Sequence, residues 1–268
     1  MNALKNYRIA PHAKFRLTKI PTQSTGPYKD EAEALKDTAK HVKQLNDLQQ
    51  VFAAAASHAM LIVLQAMDTG GKDGTIRHIF TGVNPQGCDV TGFKVPTPFE
   101  AAHDFLWRIH EKVPERGKIG IFNRSHYEDV LITRVHKLIS KKETERRYED
   151  ILHFEEMLAQ NGTVILKFFL HISQDEQTAR LKARLDTPDK RWKLSASDMH
   201  ERKFWDQYQK VYEQAIQATS RSHAPWFVIP SDCKWYRNAA ISQILVRTLE
   251  DLKLAYPKPA IDLHKFKL

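Results

Sequence analysis

The sequence has little cysteine and no long hydrophobic run. Its two cysteines, Cys88 and Cys233, are far apart and lack the spacing of metal ligands, so neither a disulfide framework nor a zinc site is predicted. The longest apolar run, residues 59–66, is much shorter than the ~20 residues that span a bilayer. The N-terminus also lacks the apolar core of a signal peptide. We therefore expect a protein of the reducing cytoplasm that makes no membrane contact.

Acidic residues are outnumbered by basic ones. The chain of 268 residues carries 41 Lys and Arg against 32 Asp and Glu, a net charge of +9. This excess favours a polyanionic partner, which could be nucleic acid, anionic lipid or a chain of phosphates, and charge alone does not choose among them. The hydrophobic share of 42% is enough for a sizeable core in one large α/β domain or two small ones.

Short apolar segments alternate with amphipathic ones along the chain. Strands are predicted at 60–65, 90–95, 119–123, 163–172 and 226–229. Helices are predicted at 29–58, from 75 onward, and at 99–112, 143–160, 175–185, 198–219 and 236–252. Residues 1–28 show no sustained period and are expected to form an irregular arm. Strands separated by helices of this length imply a parallel sheet with helices on both faces.

A glycine-rich segment connects the strand at 60–65 to the helix that follows it. It reads Asp68-Thr69-Gly70-Gly71-Lys72-Asp73-Gly74-Thr75. A strand, a glycine-rich turn and a helix in this order form the context of a phosphate loop. The glycines would let backbone N–H groups turn toward an anion, the helix N-terminus would add a positive dipole end, and Lys72 would supply a mobile charge.

The segment departs from the common phosphate-loop pattern G-x-x-x-x-G-K-[ST]. Ala66 stands at the first glycine and Asp73 at the hydroxyl position. Asp68 could take over the magnesium binding of the missing hydroxyl. The alternatives are an incidental glycine-rich turn, and an Asp68 carboxylate that only bonds its own backbone.

A polar cluster follows the strand predicted at 119–123. Ligands of open α/β sheets bind at the carboxyl ends of strands. There, Asn123 occupies the place where a second acidic metal ligand is often found, Arg124 could contact phosphate oxygens, and Ser125 could cap the next helix. Alternatively, Arg124 forms a structural ion pair with Glu128.

Residues 180–210 combine many basic side chains with aromatic ones. Arg180 and Arg184 lie four residues apart and hence on one helical face. The neighbouring phosphate loop favours a cationic lid that closes over phosphates. A solvated charged face would have the same composition, and binders of single-stranded nucleic acid also mix basic and aromatic residues.

Together these segments resemble the polyphosphate kinase 2 family over about residues 28–254. The resemblance rests on 68–75, 122–127, 190–193, Asp198 and 205–208. The stretch Asn-Arg-Ser-His-Tyr-Glu-Asp-Val from Asn123 is most similar to the branch that phosphorylates both nucleoside mono- and diphosphates. Many other members have Asp-Arg-Ser-Trp-Tyr there, so Asn123 departs from the second metal ligand of the family.

The resemblance implies one domain over residues 1–268, a P-loop kinase-like three-layer α/β sandwich with a parallel central sheet and a helical basic lid. It also implies reversible, Mg²⁺-dependent phosphoryl transfer between inorganic polyphosphate and AMP, ADP or ATP. Asp68, Lys72 and Arg124 would be catalytic, with Asp68 as metal ligand and Asn123 as a weaker candidate. The phosphate-binding residues would be Gly70, Gly71, Lys72, Asp73, Gly74, Thr75, Arg124, Arg134, Arg180, Arg184 and Arg191. A homo-oligomer is also expected, although the sequence is silent on oligomeric state.

Two other functions fit parts of the sequence. An ATP-dependent nucleoside monophosphate kinase would share the fold and the loop, but would work without polyphosphate. A nucleic-acid-binding module would use the basic and aromatic residues, but would not need Asp68 and Lys72 at the end of a strand. We therefore do not expect nucleic acid as the partner.

Overall fold

The computed structural model describes residues 3–194 and 196–261, so the outermost residues of the expected arm and domain and one position of the expected lid lie outside the described residues. The strands are β1 (Arg8–Ile9), β2 (Ala59–Ala66), β3 (Cys88–Gly92), β4 (Ile119–Asn123), β5 (Thr163–His171) and β6 (Trp226–Pro230). The α-helices are α1 (Ala3–Asn6), α2 (Glu31–Ala55), α3 (Lys72–Ile79), α4 (Pro98–Ala101), α5 (Trp107–His110), α6 (Glu128–Val135), α7 (Lys141–Gln160), α8 (Gln174–Asp186), α9 (Ala196–Glu201), α10 (Trp205–Thr219) and α11 (Lys234–Asp251). Short 3₁₀ helices cover Leu17–Lys19, Pro85–Gly87, Pro188–Lys193 and Arg202–Phe204.

The strands form one sheet in the order β1-β6-β5-β2-β4-β3. Its last five strands are parallel, as the sequence predicts, and β1 adds an antiparallel edge next to β6. All eight residues of β2 are buried, because a parallel strand inside such a sheet is covered on both faces. The strand order places the carboxyl ends of β2 and β4 side by side.

Helices cover both faces of the sheet and form two hydrophobic cores. Met60, Ile62 and Leu64 of β2 pack into the core that also contains apolar residues of α2, α3 and α11. Leu61 and Val63 point to the other face, where α6, α7 and α10 supply the packing. The expected three-layer α/β sandwich is thus confirmed. None of the described helices is long and apolar enough to cross a membrane.

Three predicted elements differ from the structure. The helix predicted at 99–112 is two single turns, α4 and α5, because the Asp104 carboxylate caps the Leu106 N–H at 3.0 Å and starts a new turn. The helix predicted at 198–219 is interrupted by the 3₁₀ turn Arg202–Phe204. The strand predicted at 90–95 begins two residues earlier and ends at Gly92.

The N-terminal arm contributes directly to the sheet. Its two-residue strand β1 pairs with β6, and the carbonyl of Tyr7 accepts the N–H of Val228 at 3.0 Å. Further along, Leu17 is buried and its N–H donates to Glu213 of α10 at 2.8 Å. The arm therefore covers the edge of β6 that would otherwise present unpaired backbone groups.

Candidate active site

The glycine-rich loop joins the end of β2 to the first residue of α3, which is Lys72. Thr69 and Gly71 have φ angles of +62° and +102°, which turn the backbone sharply before the helix. Gly70 is required by a close approach, because a Cβ atom there would lie 2.4 Å from the Cβ of Ala66. The loop therefore ends with the free N–H groups of a helix N-terminus, the arrangement that binds phosphate.

The side chain of Lys72 is half-buried among charged neighbours. Burial, and after it the charge of Arg124, lower the pKa of Lys72, whereas the carboxylates of Asp68, Glu128 and Asp73 act in the opposite direction. Two cations and three carboxylates thus meet at one loop. Such a mixed cluster can hold both phosphate oxygens and a metal ion.

Arg124 lies across the loop from Asp68. The parallel register pairs Leu64 of β2 with Asn123 of β4, so the residues after both strands are neighbours. Arg124 has a left-handed φ of +66°, its N–H donates to the carbonyl of Leu64 at 3.1 Å, and its Nη2 lies 3.6 Å from Asp68 Oδ1. A left-handed residue other than glycine costs about 1–3 kcal/mol and often occurs at a functional site.

Asn123 and Thr75 are engaged within the site itself. Asn123 Nδ2 donates to Asp73 Oδ1 at 2.6 Å, which ties the end of β4 to the first turn of α3. The hydroxyl of Thr75 donates to the carbonyl of Gly71 at 3.1 Å. These bonds fix the shape of the loop. Because Asn123 uses its side-chain nitrogen, its side-chain oxygen is the atom that could bind a metal ion.

Glu128 is a residue that sequence analysis did not select for the site. It begins α6, one turn after the polar cluster, and lies half-buried near the charges of Lys72 and Arg124. When the Gln65 amide is oriented so that its oxygen and its nitrogen both form hydrogen bonds, the nitrogen donates to Glu128 Oε1 at 2.9 Å. Burial raises the pKa of Glu128 even though Arg124 and Lys72 oppose it. The sequence signal that could have identified Glu128 is its acidic side chain beside the polar cluster that follows β4.

An open cleft of about 850 Å³ contains most of the predicted site residues. One wall is the loop with Lys72 and Arg124, and the other is the basic segment with Arg184, Trp192 and Lys193. The predicted residues that line this cleft are Asp68, Gly71, Lys72, Asp73, Gly74, Asn123, Arg124 and Arg184. Gly92, the last residue of β3, and the next two residues, Phe93 and Lys94, also line it and were not predicted.

Three predicted arginines do not line this cleft. Arg180 is 8% exposed, and its Nη1 donates to the carbonyls of Thr69 and Gly70 at 3.0 Å each, so it supports the loop from within the protein. Arg134 lines a separate cavity of about 470 Å³. Arg191 is exposed, and its Nε donates to the carbonyl of Leu185 at 2.8 Å.

The fold and the loop together define a P-loop phosphotransferase of the kinase type. The family model described as polyphosphate kinase 2 matches residues 28–257. The chain belongs to the polyphosphate kinase 2 family, which confirms the resemblance drawn from the motifs.

Individual relatives are similar along nearly the whole chain. The chain is 51% identical over 257 residues to an AMP/ADP-polyphosphate phosphotransferase of Meiothermus ruber, and the match covers 96% of each. It is 44% identical over 266 residues to an ADP-polyphosphate phosphotransferase of Rhodopseudomonas palustris, covering 95% of this chain and 92% of the relative. The crystal structure of polyphosphate kinase 2 from Arthrobacter aurescens TC1 superposes with a TM-score of 0.95 at 42% identity, covering 98% and 94% of the two chains.

Proposed function

We propose that this protein transfers phosphoryl groups reversibly between inorganic polyphosphate and adenine nucleotides, and that it phosphorylates both AMP and ADP. The observation that carries this proposal is the cleft in which the phosphate loop, Lys72 and Arg124 face the basic wall of Arg184 and Lys193. Such a two-sided cationic cleft suits a chain of phosphates better than a single phosphate group. The name of the Meiothermus relative supports both acceptors, and that of the Rhodopseudomonas relative supports ADP and polyphosphate.

The chemistry would depend on positioning and charge. Backbone N–H groups at the start of α3 and the ammonium of Lys72 would hold the donor phosphates. Arg124, whose position depends on the end of β4, would neutralise charge on the transferred group. Phosphoryl transfer requires little covalent chemistry from the protein, so prearranged charges of this kind supply most of its catalysis.

We further propose that Mg²⁺ binds at Asp68. Mg²⁺ prefers hard oxygen ligands and usually takes one or two carboxylates together with waters and substrate phosphates. The Asp68 carboxylate and the Asn123 side-chain oxygen line the cleft, and Glu128 is the next acidic group beside them. Within residues 3–194 and 196–261, no group of three or more His, Cys, Asp or Glu side chains is arranged to hold a metal. Phosphate oxygens would therefore complete the ligand set, and the ion would neutralise their charge.

The test is a phosphorus NMR time course with purified protein, Mg²⁺, excess polyphosphate and AMP. We expect ADP to accumulate and then yield ATP while polyphosphate is consumed. If ADP accumulates and never becomes ATP, the dual-acceptor proposal is wrong. If transfer to AMP requires ATP as donor and ignores polyphosphate, the protein is a nucleoside monophosphate kinase instead.

We also propose that the protein works in the cytoplasm, which agrees with the free thiols of Cys88 and Cys233. The homo-oligomer expected from the sequence stays a prediction. Light scattering coupled to size-exclusion chromatography would measure the mass of the assembly, and a mass equal to one chain would contradict it.

A further inference from the structure

Two buried arginines lie against the phosphate loop without lining the cleft. They are Arg180 of α8 and Arg237 of α11, which are 8% and 2% exposed. Arg180 is fully engaged, since it donates to the carbonyls of Thr69 and Gly70 and its Nε lies 2.7 Å from the Glu176 carboxylate. Its charge is therefore paired.

Arg237 differs because its hydrogen-bond partners are all neutral. Its Nε and Nη2 share the side-chain oxygen of Asn238 at 3.1 and 2.9 Å, and its Nη1 lies 3.5 Å from the carbonyl of Gly70. Among the described residues, no ion pair joins Arg237 to a carboxylate. Burial, and after it the charge of Arg180, lower the pKa of Arg237 to about 9.

The guanidinium of Arg237 packs directly on the loop backbone. A Cβ atom placed on Gly71 would lie 2.1 Å from Arg237 Nη1, and one on Gly74 would lie 3.7 Å from Nη2. Gly71 precedes Lys72 in the loop, and Gly74 follows it in the first turn of α3. The contact therefore explains why residue 71 has no side chain, and it brings a positive charge against the peptide units nearest the cleft.

Other charges around Arg237 add to the positive potential. Lys234, one turn earlier on α11, is exposed, but desolvation of its ammonium and then the charge of Arg180 lower its pKa, with Arg237 and Lys190 acting in the same direction. Glu176 is the acidic group that opposes this effect. A buried charge without a counter-ion is unfavourable in a protein interior, and a nearby anion relieves that cost.

We propose that Arg237 is a positioning residue whose buried charge holds the phosphate loop in its binding shape and is compensated when phosphates occupy the loop. The inference rests on the proposed function, because it assumes that the loop binds phosphates. Without ligand the charge destabilises the folded protein, and with ligand it contributes to affinity. Arginine suits this position because its planar fork donates to several backbone and side-chain oxygens at once.

The test compares Arg237→Met with wild type by thermal unfolding, with and without tripolyphosphate, and by steady-state kinetics. The variant should unfold no earlier than wild type when ligand is absent. It should lose at least half of the stabilisation by tripolyphosphate and show a KM for polyphosphate raised about tenfold, the order expected when one positive charge is removed from the vicinity of a bound anion. Arg237→Lys keeps the charge, and should recover most of the ligand stabilisation.

The matched control is Arg247→Met, because Arg247 is exposed on the same helix and paired with Glu250 at 2.9 Å. It should change neither measurement. If Arg237→Met unfolds earlier but keeps the wild-type KM and ligand stabilisation, Arg237 is merely structural and the inference is overturned. If Arg237→Met does not fold, Arg237→Lys is tested alone. A folded Arg237→Lys that is not stabilised by tripolyphosphate at all would also overturn the inference. If tripolyphosphate does not stabilise even the wild type, the proposed function itself fails.

Discussion

At the scale of single residues, a buried ion pair holds the motif that follows β4. Lys167 and Glu155 are both fully buried, and their Nζ and Oε2 atoms lie 2.5 Å apart. Tyr127 donates to Glu155 at 2.9 Å, and His126 lies 3.3 Å from the same carboxylate. Burial alone would raise the pKa of Glu155, but Lys167 and His126 together lower it. Because His126 and Tyr127 directly follow Arg124 and Ser125 in sequence, the buried pair fixes the part of the chain next to Arg124.

Removing one partner of this pair should be costly. Lys167→Met leaves the Glu155 carboxylate buried without its cation, so the free energy of unfolding should fall by roughly 3–5 kcal/mol. The double variant Lys167→Met/Glu155→Leu should lose less, because no charge then remains uncompensated. Urea unfolding of wild type, the single variants and the double variant measures this coupling. A loss in the double variant equal to the sum of the two single losses would show that the two side chains are not coupled.

Two residues of the loop should control turnover without affecting the fold. Lys72→Ala and Asp68→Ala should each reduce turnover at least ~100-fold, which corresponds to about 2.7 kcal/mol of transition-state stabilisation. Circular dichroism should stay unchanged, and Lys36→Ala, on the exposed face of α2, should behave as wild type. A turnover rate near wild type in either loop variant would show that the substituted residue is not catalytic.

At the scale of elements, the basic segment from α8 to α10 is attached at both ends. Arg180 holds its start to the loop, and near its other end Glu201 accepts hydrogen bonds from His136 at 2.8 Å and Tyr208 at 2.6 Å. Between these points Trp192 is 77% exposed and lines the cleft. The segment therefore joins two packed ends through an exposed middle, and its role as a lid stays a prediction.

Two arginines of this segment, the half-buried Arg184 and the exposed Arg191, should contribute unequally. Arg184 lines the cleft, so Arg184→Ala should raise the KM for polyphosphate roughly tenfold and weaken its dependence on salt. Arg191 does not line the cleft, and Arg191→Ala should have a smaller effect. Initial rates at several salt concentrations would test both variants. An unchanged KM for Arg184→Ala at every salt concentration would make the segment a solvated surface only.

At the scale of the whole molecule, distant parts of the chain pack together at two histidines, of which His171 is buried and His41 is half-buried. His41 of α2 lies 3.1 Å from the Ser242 hydroxyl of α11, and His171 of β5 lies 3.2 Å from the carbonyl of Leu17 in the arm. Burial is the main cause that lowers the pKa of both histidines. Protonation of either would place a poorly solvated charge at a contact between separate elements.

Stability should therefore fall in mild acid. In the unfolded chain histidine binds a proton below about pH 6.5, whereas the folded state resists protonation to lower pH. The unfolded state then binds more protons, so the free energy of unfolding should fall as the pH drops below 6.5. His171→Gln should reduce this slope, and His153→Gln, at an exposed position on α7, should not. Urea unfolding at pH 7.5, 6.5 and 5.5 measures the slopes, and identical slopes for wild type and His171→Gln would exclude this role.

Five of the six strands were predicted from the sequence: four are short apolar runs next to a turn signal, and β3 was predicted with shifted bounds. The strand β1 was not, since two residues are too few to show a period and only pairing with β6 makes them a strand. The loop, Lys72 at the helix start and the cluster around Arg124 are equally local features. They lie at the carboxyl ends of parallel strands, and the pairing of β2 with β4 in the folded sheet brings them together.

The motifs of the sequence were therefore enough to identify the family and a parallel α/β sheet, and they predicted the residues of the site. Which cations face the cleft depends instead on the tertiary structure. Arg180 and Arg184 lie one turn apart on α8, yet one is buried against loop carbonyls and the other lines the cleft. Arg237 has no local signal at all, because its contact with Gly71 depends on how α11 packs against α3. Helical periodicity shows which residues share a face, but the partner of that face is set by contacts between segments distant in sequence.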